Sequence, residues 1–206
     1  MDRIGLMLCL LPLGTLAEMD ESGNVVVKLE GVQFFFTPVE GECLTRESSA
    51  SAFGRLGLSQ REMLAMMEER GLYAVMFDPA RTCQIEIGVS RAEVADFDDM
   101  TEYGEMSECA YYEAYLNEYG YQVAAVDIYA VLGGQKFVWT DASYVNEDGE
   151  EQHFIEYFTC KGGFCIWITL FPFAGEVTEE QLALGDGIAD SMWIMEDAIT
   201  LDISGL

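Results

Sequence analysis

The chain has 206 residues, with one histidine, six cysteines and 37 acidic residues against 10 basic ones. Any chemistry must be built from that stock. His153 sits in an apolar, β-rich run beside Phe154 and on the opposite face from it. A Ser-His-Asp site needs only one histidine, but it also needs a nucleophile on a strained elbow, and no Gly-x-Ser-x-Gly sequence is present. A strand-surface histidine is the expectation. A zinc site would need several His or Cys at close spacing, which the sequence lacks. Gly133-Gly134 and Gly162-Gly163 read as hairpin turns and not phosphate loops, since no Gly-Lys-Ser/Thr sequence accompanies them. Asp96, Asp98, Asp99 and Glu102 invite a calcium reading. Asp96 and Asp98 fit the first and third loop positions, but Met100 and Thr101 follow where a ligand and a turn glycine are needed. A solvated acidic loop is expected there. Paired carboxylates for glycosidic hydrolysis are available in number, yet no pair stands out. No catalytic, cofactor-binding or metal-ligating residue is assigned, and no cofactor is expected.

The cysteines of one hairpin are different. With Gly162-Gly163 as a two-residue loop, Lys161 faces Phe164 and Cys160 faces Cys165. That second pair is the non-hydrogen-bonded one, where Cα atoms approach to about 4.5 Å, the short end of what a disulfide bridges. Cys160 and Cys165 are therefore the disulfide candidate, or else two buried thiols. Their spacing is not the Cys-x-x-Cys of thioredoxin-like redox motifs.

The formal net charge is −27, half the residues are hydrophobic and 12% are aromatic. This composition supports a core and is unlike that of a disordered chain. Such a polyanion repels phosphate backbones and anionic lipid heads, so nucleic-acid binding is disfavoured. Residues 1–17 read as a secretory signal peptide. Arg3 starts it, residues 4–16 are apolar, and Thr15-Leu16-Ala17 is a small-x-small cleavage site before Glu18. No other segment reads as transmembrane, so an extracytoplasmic location is expected, secreted or at the cell envelope. Removal of Cys9 with the signal leaves five cysteines, an odd number, and the partners of Cys43, Cys83 and Cys109 stay open.

These residues must be carried by a recognisable order of elements. Residues 24–29 and 32–37 read as a tight strand pair, followed by a break at Pro38 and an extended piece over 42–45. Residues 47–58 read as a loop or one helical turn. Ser59 and Glu62 form a capping box for a helix with a Met63, Leu64, Met66, Met67 stripe, stopped at Gly71. Residues 72–77 and 83–89 form a hairpin, with Ile85, Ile87 and Val89 inward and Gln84, Glu86 and Gly88 on a wet face. Residues 106–119 form a helix whose Tyr111, Tyr115 and Tyr119 share one face, with Tyr112 pointing elsewhere. A strand over 121–132 then leads into runs 136–145, 152–160 and 164–171, joined by Asp148-Gly149 and Gly162-Gly163 turns. Together they make a four-strand antiparallel meander. Thr178 and Gln181 cap a final helix with Leu184, Ile188 and Met192 on one face. From Ala198 on, a strand fragment or a frayed tail is expected.

Local runs add a resemblance. Leu56-Gly57-Leu58-Ser59-Gln60-Arg61-Glu62-Met63-Leu64 opens the first helix, and Ile85-Glu86-Ile87 lies on the hairpin. Tyr157-Phe158-Thr159, Gly162-Gly163 and Ile166-Trp167-Ile168-Thr169-Leu170 mark the meander, before Glu176-Val177-Thr178-Glu179-Glu180-Gln181. Across most of residues 24–195 this resembles uncharacterised exported proteins of Gram-positive gut bacteria with a PsbP-like (Mog-like) domain. The resemblance implies an α+β fold, an α/β/α sandwich around a central antiparallel sheet, with residues 18–206 as one domain. It also implies a binding or accessory role toward an envelope or extracellular protein. No functional residue maps across. The expectation is an exported, non-enzymatic binding domain. The alternatives are an extracytoplasmic carboxylate-dependent hydrolase, which would need a concave site with two facing acids, and a cation-responsive module.

Overall fold

The computed structural model describes residues 16–100, 105–146 and 148–196. They form two antiparallel sheets and a few helices, an α+β fold. The chain runs through β1 (Leu16–Met19), β2 (Val25–Lys28), β3 (Val32–Phe36), β4 (Glu42–Thr45), α1 (Ala50–Arg55) and α2 (Gln60–Glu69). It continues through β5 (Leu72–Phe77), β6 (Cys83–Arg91), α3 (Glu105–Glu118), β7 (Gln122–Leu132) and β8 (Gln135–Val145). It ends with β9 (Glu151–Lys161), β10 (Phe164–Pro172), α4 (Glu179–Ser191) and β11 (Trp193–Glu196). Strand order is β4-β5-β6-β10-β9-β8-β7 in the larger sheet and β1-β2-β3-β11 in the smaller. Strands β7 to β10 pair in succession, and β10 closes on β6 from the preceding hairpin. The apolar run Phe164-Cys165-Ile166-Trp167-Ile168 occupies the middle of the larger sheet and is buried on both faces, as an almost unbroken hydrophobic strand must be.

The main core lies between the two sheets. Ile85, Ile87, Tyr157, Phe164, Ile166, Ile168 and Leu170 meet Val25, Val27, Phe34 and Phe36, with Ile188, Ala189 and Met192 of α4 in the same cluster. The opposite face carries Met67 of α2 on Leu72 and Val75, and a second cluster of Val138, Phe158, Cys160, Cys165 and Trp167 with Cys109 and Tyr112 of α3. The layering therefore differs from one central sheet between helices: a small sheet and α4 share one side, and α2 and α3 take the other. Two short strands account for the difference. Trp193–Glu196 adds to β3 and Leu16–Met19 adds to β2. The first follows the last helix directly; the second overlaps the segment read as a signal peptide.

The expected cleavage site falls inside β1, where Ala17 is fully buried opposite Val27. Residues 1–15 and the tail from Ala198 lie outside the described residues. No described helix is long and apolar enough to cross a membrane.

Local signals set the boundaries. The Thr178 hydroxyl accepts from Gln181 N and the Gln181 side chain accepts from Thr178 N, closing both halves of the α4 box. Ser59 makes only its own half, accepting from Glu62 N at 3.4 Å. Gly71 ends the α2 turn at φ +67°, a conformation that disfavours a Cβ. Residues 47–58 hold the six-residue α1. The register next to Gly162-Gly163 is the expected one, with Lys161 opposite Phe164 and Cys160 opposite Cys165.

Candidate functional site

The face of β6 expected to be wet is buried at Glu86 and Gly88, and only Gln84 is half-exposed. Glu86 is fully buried, and it belongs to a polar row that crosses the larger sheet: Glu86 on β6, Thr169 on β10, Glu156 on β9 and Thr140 on β8 stand directly opposite one another in turn. Apolar rows flank it, with Gly88, Trp167, Phe158 and Val138 on one side. Strand alternation alone places Glu86 outward. On that face the Trp167 ring lies over Gly88, and Arg70 at the end of α2 reaches Glu86 itself.

A buried carboxylate is costly unless paired and hydrogen-bonded. Arg70, the residue that ends α2, supplies the pairing. Its Nη1 lies 2.7 Å from Glu86 Oε1 and its Nη2 donates to Oε2 at 2.7 Å, a two-pronged fork. Gln84 Nε2 donates to Oε1 at 2.8 Å from the same strand face. Further along the row, Thr169 Oγ1 donates to Glu156 Oε2 at 3.1 Å. Tyr112 of α3 sits over this end. Burial, then the Glu156 carboxylate, pushes its phenol well above the ordinary tyrosine range.

The Arg70–Glu86 pair opens on one side into a cleft of about 210 Å³, lined also by Gln84, Tyr144, Gln152 and the run Phe171-Pro172-Phe173. Phe173 is 54% exposed, with Phe77 against it at 6.3 Å between centroids. Phe171 meets Phe154 at 6.1 Å, and Tyr144 packs with Tyr121 and Phe154. Gln152 Nε2 donates to Pro172 O at 3.1 Å, fixing the amide on the floor.

The residues singled out in the sequence lie elsewhere. His153 is on β9, opposite Ser143 and 3.9 Å from Glu151 Oε1. Its partner Ser143 donates to Glu151, at 2.8 Å. Asp141 on the neighbouring strand has its carboxyl raised by burial, an effect opposed by His153 and reinforced by Glu176. In the acidic loop, Lys161 pairs with Asp96 at 3.1 Å and Lys136 with Asp98 at 2.6 Å. Asp99 accepts from Asp96 N, and Glu102 lies outside the described residues. Among the described residues no group of His, Cys, Asp and Glu could hold a metal. Cys160 and Cys165 are buried free thiols with Sγ atoms 2.9 Å apart, each facing the other across the hairpin. The contact with Cys165, then burial, pushes the Cys160 thiol strongly up. Of the α3 tyrosines, Tyr115 and Tyr119 pair at 4.8 Å along the outside, while Tyr112 and Leu116 face the sheet. The inward side of α3 thus carries Cys109, Tyr112 and Leu116.

Glu86, Arg70 and Glu156 escaped the sequence reading. A signal was present: Glu156 stands between Phe154-Ile155 and Tyr157-Phe158, and a lone acid in an apolar strand is a candidate for a paired, buried charge. Glu86 between two isoleucines looks instead like ordinary alternation. Nothing local reveals that Arg70, sixteen residues away, reaches it.

No family model matches the sequence, and no curated protein matches it. Among solved structures the chain is similar to the solution structure of cyanobacterial PsbP (CyanoP) from Synechocystis sp. PCC 6803. Identity is 14% over 89% of this chain and 95% of that one, with a TM-score of 0.42. A crystal structure from Bacteroides thetaiotaomicron VPI-5482 is similar at 10% identity over 80% of this chain, which spans 46% of that one, with a TM-score of 0.41. Likeness at this level is of broad outline and transfers no residue or role.

Proposed function

We propose that the protein is an exported, non-enzymatic binding or accessory domain of the cell envelope, and that it binds through the cleft beside Arg70 and Glu86. The observation that carries this reading is the state of that ion pair. Both Glu86 oxygens are taken up by Arg70 and Gln84, so the group is built to stay put and to shape a wall. The aromatic side chains at the mouth give contact area, and the amides give direction, the usual division of labour in a small-molecule site. Export is supported by the apolar run at residues 4–16 before a small-x-small sequence. An accessory role toward an envelope protein belongs to the same proposal.

Hydrolysis by two carboxylates is favoured by one observation, the burial of Glu86 and Glu156 on either side of Thr169. Against it, only Glu86 lines the cleft. Glu156 is hydrogen-bonded to Thr169 within the sheet, whereas a substrate must reach both acids.

The test is a thermal-shift screen of a small-molecule library on the full chain and on Phe173→Ala. A ligand that binds only the folded state raises the melting temperature. Compounds that stabilise the parent and not the variant are expected. A library that stabilises neither, or both equally, would remove the cleft from consideration.

A further inference from the structure

Resting on the binding reading of the cleft, we infer that its ligand is a neutral, polyhydroxylated ring the size of one sugar unit. Charge is the first argument. The chain carries a formal −27, yet the two ionised groups lining the cleft, Arg70 and Glu86, cancel through a two-pronged contact. An anion would meet a guanidinium already neutralised inside a polyanion. A cation would meet a carboxylate whose oxygens already accept three hydrogen bonds. Neither charge sign is matched.

The wall chemistry is the second. A purely apolar ligand would strip water from Gln84, Gln152 and Arg70 without replacing its hydrogen bonds, which is unfavourable. A ligand with many hydroxyls offers donors and acceptors around its rim and C–H groups on its flat faces. The amides and the guanidinium match the rim; Tyr144, Phe171 and Phe173 match the faces. The third argument is size. At about 210 Å³ the cleft is below the roughly 300–1,000 Å³ of sites for drug-sized molecules, and one ring fills it. Finally, the polar wall is set in advance. Gln84 is held by Glu86 and Gln152 by Pro172 O and His153 O, so little side-chain freedom is lost on binding. The site is open and shallow, and a dissociation constant on the order of 1 mM suits one ring with few contacts.

Saturation-transfer NMR on the full chain tests this with two sets of probes. The first set is methyl glucoside, methyl galactoside and N-acetylglucosamine; the second is phenol, benzamide and indole. Each is run on the parent, on Phe173→Ala and on Gln152→Ala, with melting curves confirming that the variants fold. The expected result is transfer to at least one sugar, lost in Phe173→Ala. Should Phe173→Ala fail to fold, Gln152→Ala carries the same comparison. Sugar signals that persist in both variants place binding elsewhere and overturn the inference. Signals from the aromatic set alone, lost in the variants, overturn it while leaving the cleft as a binding site. Silence from both sets overturns the inference and the binding reading together.

Discussion

The indole of Trp167 presses against Gly88 in the neighbouring strand: a Cβ placed on Gly88 would stand 2.2 Å from Trp167 Cε2. Shape alone holds the ring, since Trp167 Nε1 is buried without a hydrogen-bond partner among the described residues. The missing side chain at Gly88 leaves room for the Trp167 ring on the β6 face that also carries Glu86. Gly88→Ala must displace the ring and should cost about 1–3 kcal/mol, the range for overpacking a core. Gly187, inside α4 with open space around its Cα, gives the control. Gly187→Ala should stabilise by about 0.5–1 kcal/mol through helix propensity. Chemical denaturation of both variants reads the two signs, and a Gly88→Ala protein as stable as its parent would contradict the packing.

Arg70 and Glu86 form the second test. Arg70→Met takes the ion-pair partner away from a fully buried carboxylate that Gln84 also contacts. The expected loss is about 3 kcal/mol, the low end for breaking a buried pair, because part of Arg70 is exposed and water can enter. Arg70→Met/Glu86→Leu removes both charges and should recover most of that loss. If the single variant unfolds at the same denaturant concentration as the parent, the pair contributes nothing to the site's rigidity.

The elements that position this site were legible where the pattern is local. The meander follows from glycine turns between β-rich runs, and α4 from a capping box whose two halves both form. The register of Cys160 against Cys165 follows from the length of one turn. What sequence could not reveal is long-range cover. Alternation along β6 separates Ile85 and Ile87 from Gln84 and Glu86 correctly, but alternation says only that two faces differ. Whether the second face meets water depends on Arg70 at the end of α2 and on Trp167, which reaches across from another strand. The two end strands were hidden for a similar reason. Four-residue segments such as Trp193–Glu196 carry no periodicity of their own and become strands by joining an existing pair.

The thiols of the β9–β10 hairpin give a prediction tied to export. In an oxidising compartment Cys160 and Cys165 should bridge, since they already face one another. Peptide mapping of protein recovered from its native location, alkylated before digestion, should show the two as one linked peptide. Alkylated Cys160 and Cys165 would count against either the bridge or the compartment. The bridge closes a very short loop, so it should add less than the about 3 kcal/mol expected for a fifteen-residue one.

Alkaline pH supplies the last test. Burial pushes the Cys43 thiol up to about 12, and burial followed by the charge of Asp78 does the same for Cys83. In the unfolded chain both ionise near their ordinary value of 9.0. Between pH 9 and about 12 the folded protein therefore holds more protons than the unfolded one, and stability falls as pH rises. The contribution is fully present below pH 9 and is lost progressively toward the folded value. Tyr157, raised by burial and by its hydrogen bond to Asp186, and Lys161, raised by Glu196 and Asp96, add losses of the same sign. Only the difference between proteins isolates the thiols. Denaturation midpoints across this window should fall more steeply for the parent than for Cys43→Ala/Cys83→Ala. The variant starts lower because it leaves small cavities, so the slopes decide and not the absolute values. Parallel curves would mean that neither thiol stays protonated in the folded state at high pH.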